Sequence, residues 1–217
     1  MNENPLKHPY LVIEGNIGAG KTSLATILSR IFNTNLVLES FAENTFLPQF
    51  YKEPERFAFP LEMSFLAERY GQIHREQQIA FSAGQKLIGD YIFEKSLLFA
   101  SVNLKGDELD LFTRFFRMIE GGLKQPDLLV YLHKSSGKLL ENIRKRGRPY
   151  EQEITEDYLD KISHRYLDHL KTIENHSVII IDSDNLDFVN DSSHLRFILD
   201  VLSNESNKGT KHITFRP

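Results

Sequence analysis

YLVIEGNIGAGKTSLATILSRIF, residues 10–32, decides the fold. It opens with a β-favouring run, Tyr10 to Ile13, closed by Glu14 and Gly15. It ends in a helical pattern, with Leu24, Ile27, Leu28 and Ile31 on one face. Between them, Gly15-Asn16-Ile17-Gly18-Ala19-Gly20-Lys21-Thr22 fits G-x-x-x-x-G-K-[ST], a phosphate loop. Its glycines let successive N–H groups curl around an anion, and the dipole of the following helix points at it. On this reading residues Gly15 to Ser23 bind the phosphates of ATP, Lys21 spans the β- and γ-phosphates, and Thr22 offers its hydroxyl to Mg²⁺. A bare glycine-rich turn is the alternative. The strand before and the amphipathic helix after it favour the loop.

Outward from this unit, short apolar runs alternate with longer helical patterns. Leu36–Leu38, Lys86–Ile88, Leu128–Leu132 and Val178–Ile181 lack polar alternation, as strands covered on both faces do. Helices are expected from Pro60 through the stretch PLEMSFLAERYGQIHREQQI, over Leu109 to Leu123, from Thr155 as N-cap, and over 193–202. Such alternation predicts an α/β chain with right-handed crossovers and three layers. Residues 1–204 read as one domain and 205–217 as a polar, mobile tail containing a short apolar ITF. Residues 41–60, aromatic-rich and without periodicity, read as a long irregular loop, the kind that is usually functional.

Composition removes several classes. The chain has 217 residues, 26 Lys+Arg against 30 Asp+Glu, and no cysteine. That excludes disulfides, thiolate metal sites and Cys nucleophiles, and argues against a nucleic-acid polymer as partner. No apolar run is long enough to span a membrane, and the first residues show no secretory pattern. A cytoplasmic protein is expected.

Other candidate residues sit where the loop would place chemistry. Glu39, Asp90 and Asp182 each end a strand on the edge that carries the phosphate loop. Each alone is also a common turn former. Glu39 suits a general base for an attacking hydroxyl, and Asp90 a direct or indirect Mg²⁺ partner. Arg144, Lys145, Arg146 and Arg148 end a helix, either as a solvated basic patch or as a lid over a triphosphate, with Glu151 holding an arginine. Glu62 and Arg69 lie seven apart on one helix, as an exposed stripe or as a polar pair in a cavity walled by Tyr51, Phe57 and Phe59.

The order of these motifs resembles the deoxynucleoside kinases over about residues 9–190. GNIGAGKT is close to that family's phosphate loop, LVLES carries Glu39 at its general-base position, and RKRGRPYEQ is similar to its lid. The resemblance implies five parallel strands in the order 2-3-1-4-5 with an arginine-rich lid. It also implies an ATP and Mg²⁺-dependent transfer to a nucleoside 5′-hydroxyl. Tyr51 would hold the sugar 3′-hydroxyl, Arg69 would touch the base, and Phe59 and Glu62 would line its site. Arg146, Arg148 and Glu151 would take the lid's phosphate-clamping roles, and Asp184 would lie beside the donor adenine. A homodimer is implied, with the seam from Leu109 to Leu123 as an interface.

Two departures from the family pattern stand out. Glu62 replaces a glutamine that reads the base edge, and Tyr91 follows Asp90 where the family has arginine, leaving the lid or Lys95 to supply that charge. Two other functions fit the same loop: a kinase for a ribonucleoside or nucleoside monophosphate, and a regulatory subunit that binds ATP without turnover.

Overall fold

The computed structural model describes residues 6–40, 44–204 and 209–215. Strand β1 (Tyr10–Gly15) pairs in parallel with β3 (Leu87–Gly89) on one side and β4 (Leu128–His133) on the other. β2 (Asn35–Val37) extends the sheet beyond β3, and β5 (Ser177–Asp182) extends it beyond β4. Alternate residues of β1 serve opposite faces: Tyr10 and Val12 pack in one apolar cluster, Leu11 and Ile13 in the other. This is why the strands read as unbroken apolar runs.

One face is covered by α2 (Leu47–Lys52), α3 (Pro54–Ser82), α4 (Lys95–Asn103) and α5 (Gly106–Ile119). The other is covered by α1 (Lys21–Phe32), α6 (Ser136–Arg146) and α8 (Ser192–Asn204). α7 (Glu156–Lys171) serves both, with Leu159 in one cluster and Ile162, Tyr166 and Leu170 in the other. Thr155 caps α7 as expected, its hydroxyl accepting from the Tyr158 N–H at 3.2 Å.

Three expectations need correction. The sheet has six strands, in the order β2-β3-β1-β4-β5-β6, because β6 (Gly209–Thr214) adds in parallel to β5 with Gly209 opposite Ser177. β6 therefore belongs to the folded sheet and not to a mobile tail; residues 205–208 and 216–217 lie outside the described residues. It escaped notice because an edge strand leaves every second residue wet, so its sequence stays polar.

The second correction concerns 41–60. Phe41, Ala42 and Glu43 lie outside the described residues, but most of the rest is helical, and α3 starts at Pro54 instead of Pro60. Pro54 occupies the first turn, where its missing N–H costs nothing, and the helix continues through Pro60. The third concerns α5. Phe112 and Phe116 of the supposed interface seam are buried in the chain's own core, whereas Leu111, Phe115 and Met118 face outward.

Candidate active site

The carboxyl ends of β1, β2 and β3 open into a cleft of about 730 Å³, part of it open to solvent. The phosphate loop forms one wall. Gly18 and Gly20 have φ of 84° and 97°, conformations that L side chains rarely adopt. A Cβ at Gly18 would also lie 2.8 Å from the Leu139 carbonyl. α1 starts at Lys21 with no side-chain cap and no acidic residue in its first turn, so its N–H groups remain open to an anion. Lys21 lies in the loop with its Nζ donating to the Asn16 carbonyl at 3.0 Å. Burial first, then Lys95, pushes its amine down to about 8.

Not every residue of the loop is available to phosphate. The N–H groups of Gly15, Ile17 and Ala19 are taken by Glu14 Oε1, Asn16 Oδ1 and the Asn16 carbonyl. The Asn16 side chain ties the loop to α7, donating to the Leu159 carbonyl and Ser163 Oγ at 2.7 and 2.8 Å. Ala19 is buried, and Ser23 is exposed on the first turn of α1.

Opposite the loop, Asp90 joins the two halves of the site. Its Oδ2 accepts from Thr22 Oγ1 at 2.5 Å and its Oδ1 from the Glu39 backbone N–H at 2.7 Å. Glu39 is held from both sides: Arg69 Nε and Nη2 donate to Oε1 at 2.9 and 2.8 Å, and Lys95 Nζ to Oε2 at 2.5 Å. Burial opposes its charge, but Lys95 and Arg69 outweigh that and hold the carboxyl at about 2. Arg69 also donates to Ser96 Oγ at 3.0 Å and stacks over the Phe65 ring. Its guanidinium is thus anchored by Glu39 and Ser96 while it lines the cleft. Tyr91 turns away, its hydroxyl donating to Gln72 Oε1 at 2.7 Å, so Lys95 supplies the cation beside Glu39.

Glu62 lies deeper in the cleft, 1% exposed. Asn103 Nδ2 donates to its Oε1 at 2.7 Å, and its Oε2 is buried without a partner among the described residues. Burial pushes this carboxyl up to about 7, against the pull of Arg69 and Asn103. The aromatic wall consists of Phe50, Tyr51, Phe65, Phe99 and Tyr158. Phe57 and Phe59, expected in it, pack on the core outside the cleft, because the early start of α3 sets which of its residues face inward.

The lid is present. Glu151 accepts from Arg146 Nε and Nη2 at 3.0 and 2.6 Å and from Arg148 Nη1 at 3.1 Å, and all three line the cleft. Arg144 points to solvent on α6 and does not line it. Asp182 is exposed, and Asp184 accepts from the Ser135 N–H at 2.8 Å, pinning the loop after β5 to the start of α6. Among the described residues no cluster of three or more acidic or histidine side chains could hold a metal.

Sequence reasoning missed Glu14, Asn103 and Tyr158. Glu14 is wholly buried and accepts from the Gly15 and Ile92 N–H groups and the Tyr166 hydroxyl, which brace the start of the loop. A carboxylate inside the β1 run, immediately before the first loop glycine, was the available signal. Asn103 on α4 donates both to Glu62 on α3 and to the Tyr158 hydroxyl on α7, contacts that no local pattern announces.

A family model described as deoxynucleoside kinase matches residues 11–205. The chain belongs to the deoxynucleoside kinase family. This deoxynucleoside kinase is 35% identical over 185 residues to the deoxyguanosine kinase of Bacillus subtilis, covering 83% of this chain and 89% of that one. It is 30% identical over 184 residues to the deoxyadenosine kinase of Dictyostelium discoideum, covering 83% and 74%. Its fold is shared with a deoxyadenosine kinase from M. mycoides solved with the products dCMP and a flexible dCDP, at a TM-score of 0.79 and 22% identity, over 90% of this kinase and all of that chain. Among the described residues no helix of the kinase is long and apolar enough to cross a membrane.

Proposed function

We propose that this chain transfers the γ-phosphoryl group of ATP to the 5′-hydroxyl of a deoxyribonucleoside. One observation carries the reading: Thr22 of the phosphate loop, Asp90 and Glu39 form a continuous hydrogen-bonded line into a cleft with apolar aromatic walls. The triphosphate lies against the open N–H groups of α1, with Lys21 neutralising its far end. The nucleoside enters the aromatic part, Tyr51 takes the sugar 3′-hydroxyl, and the 5′-hydroxyl reaches Glu39.

Glu39, held at about 2, is a weak base. In a loose transition state the hydroxyl keeps its proton until the oxygen–phosphorus bond is forming, when its oxygen turns positive and strongly acidic, so a weak but well-placed base suffices. Glu39 therefore orients the hydroxyl as acceptor and takes its proton as the oxygen–phosphorus bond forms. Arg146 and Arg148, aimed by Glu151, meet the charge spread over the transferred group.

Mg²⁺ fits the site: Thr22 Oγ1 and Asp90 Oδ2 are hard oxygen donors side by side, and Mg²⁺ takes one or two protein oxygens plus phosphates and waters. Bound there with the triphosphate, it would neutralise phosphate charge. A nucleoside monophosphate acceptor fits poorly, because its dianion needs free arginines, while Arg69 is committed to Glu39 and a buried carboxyl, Glu62, lines that part of the cleft. A second copy of the chain fits the outward Leu111, Phe115 and Met118 face of α5, which makes the working species a homodimer.

The test is incubation with ATP, Mg²⁺ and each of the four deoxyribonucleosides, with a Lys21→Ala control. A nucleoside 5′-monophosphate and ADP are expected in equal amounts. ATP binding without turnover of any nucleoside would instead assign a regulatory role.

A further inference from the structure

A buried carboxylate oxygen with no partner is costly unless something arrives to satisfy it. Glu62 Oε2 is such an atom, set in the wall of the acceptor cleft. Its other oxygen takes one hydrogen from Asn103 and keeps a lone pair. Phe65 and Phe99 line the same cleft, and Arg69 beside them is occupied by Glu39 and Ser96. A flat ring with two adjacent donors on one edge completes this arrangement.

We propose that Glu62 selects guanine, its carboxylate accepting the N1–H and 2-amino hydrogens of the base, so that deoxyguanosine is the preferred acceptor. The inference rests on the kinase reading above. Adenine and cytosine present an acceptor beside a donor on the corresponding edge, and that acceptor would face a negatively charged oxygen. Thymine offers one N–H between two carbonyls. Only guanine offers two neighbouring donors, and hydrogen bonds to a charged group are the strong ones.

The ionisation of Glu62 sets a dependence on pH. The groups facing it are Arg69 on α3, Lys95 and Asn103 on α4, Tyr158 on α7, and Glu39 beyond β2. The carboxyl titrates at about 7. Above that pH the ionised form accepts from guanine. Below it the protonated form, a donor beside an acceptor, pairs with N1 and the 6-amino group of adenine.

Equilibrium binding of deoxyguanosine, deoxyinosine and deoxyadenosine to the wild-type protein, measured at pH 6 and pH 8 alongside turnover, tests this. Deoxyinosine lacks only the 2-amino group and should bind about tenfold more weakly than deoxyguanosine at pH 8. The deoxyguanosine preference over deoxyadenosine should shrink at least about tenfold at pH 6, and Glu62→Gln should remove that pH dependence. Deoxyadenosine or deoxyinosine binding as tightly as deoxyguanosine at pH 8 would overturn the proposal. The expected binding order without phosphorylation would support Glu62 and refute the kinase reading. The wild-type comparison stands even if the variant fails to fold.

Discussion

Arg69 and Glu39 are joined twice, Nε and Nη2 of the guanidinium both reaching Oε1, at 2.9 and 2.8 Å, while Lys95 holds Oε2. A carboxylate fixed on both oxygens keeps its direction and its charge. Arg69 and Glu39 are 3% and 10% exposed, so losing the guanidinium leaves a buried carboxylate with Oε1 unpaired and only Lys95 to balance it. Arg69→Leu should cost about 3–5 kcal/mol of folding stability in denaturant titration. Lys95→Met should raise the pKa of Glu39 and reduce kcat more than it changes the KM for nucleoside. A change in KM alone would show Lys95 to be a nucleoside contact.

Asn16 occupies a variable place in the phosphate-loop pattern, yet its side chain makes three hydrogen bonds and is 2% exposed. Asn16→Ala should lower stability by about 2–3 kcal/mol, since the Ile17 N–H loses its acceptor and the loop its tie to α7. ATP affinity should fall in parallel, measured by calorimetry. Unchanged ATP binding would mean that the loop holds its shape without α7.

Glu151 receives both lid arginines and is 5% exposed. Glu151→Gln keeps the shape but removes the charge that aims them. Single-turnover rates should fall about tenfold with nucleoside affinity nearly unchanged, as expected for groups that act on the transition state. A loss confined to nucleoside affinity would make Glu151 a substrate contact.

Glu62 also makes the free protein sensitive to pH. Its carboxyl titrates at about 7 when folded against an ordinary value of 4.5, so the folded state holds the proton more tightly. Its contribution to stability is full below pH 4.5 and is lost as pH rises to 7, by about 3 kcal/mol at most. Glu62→Gln should therefore raise the Tm of the free protein at pH 8 relative to wild type and leave little difference at pH 4. Equal Tm at both pH values would show that Glu62 titrates normally.

The parts of this molecule legible in the sequence were those specified locally. The strand-loop-helix unit at 10–32, the capped start of α7 and the lid helix ending at Gly147 each follow from a few neighbouring residues. Glu39 and Asp90 were found because they lie within two residues of a strand's end. Long-range packing decided the rest. Phe59 and Phe57 turned from the cleft once α3 began at Pro54, and Asn16 found its partners more than a hundred residues away on α7. β6 was hidden because an edge strand with polar outward residues is stabilised mainly by pairing with β5.

In the proposed reaction Glu39 meets the incoming hydroxyl at the end of the phosphate loop. Glu39→Gln keeps the size of the side chain and removes its capacity to take a proton. The most direct test compares kcat with the dissociation constant for ATP in this variant and the wild type. A fall in kcat of about 10²–10⁴-fold is expected, with ATP binding within about twofold. A kcat within a few-fold of wild type, or an equal loss of ATP binding, would contradict it.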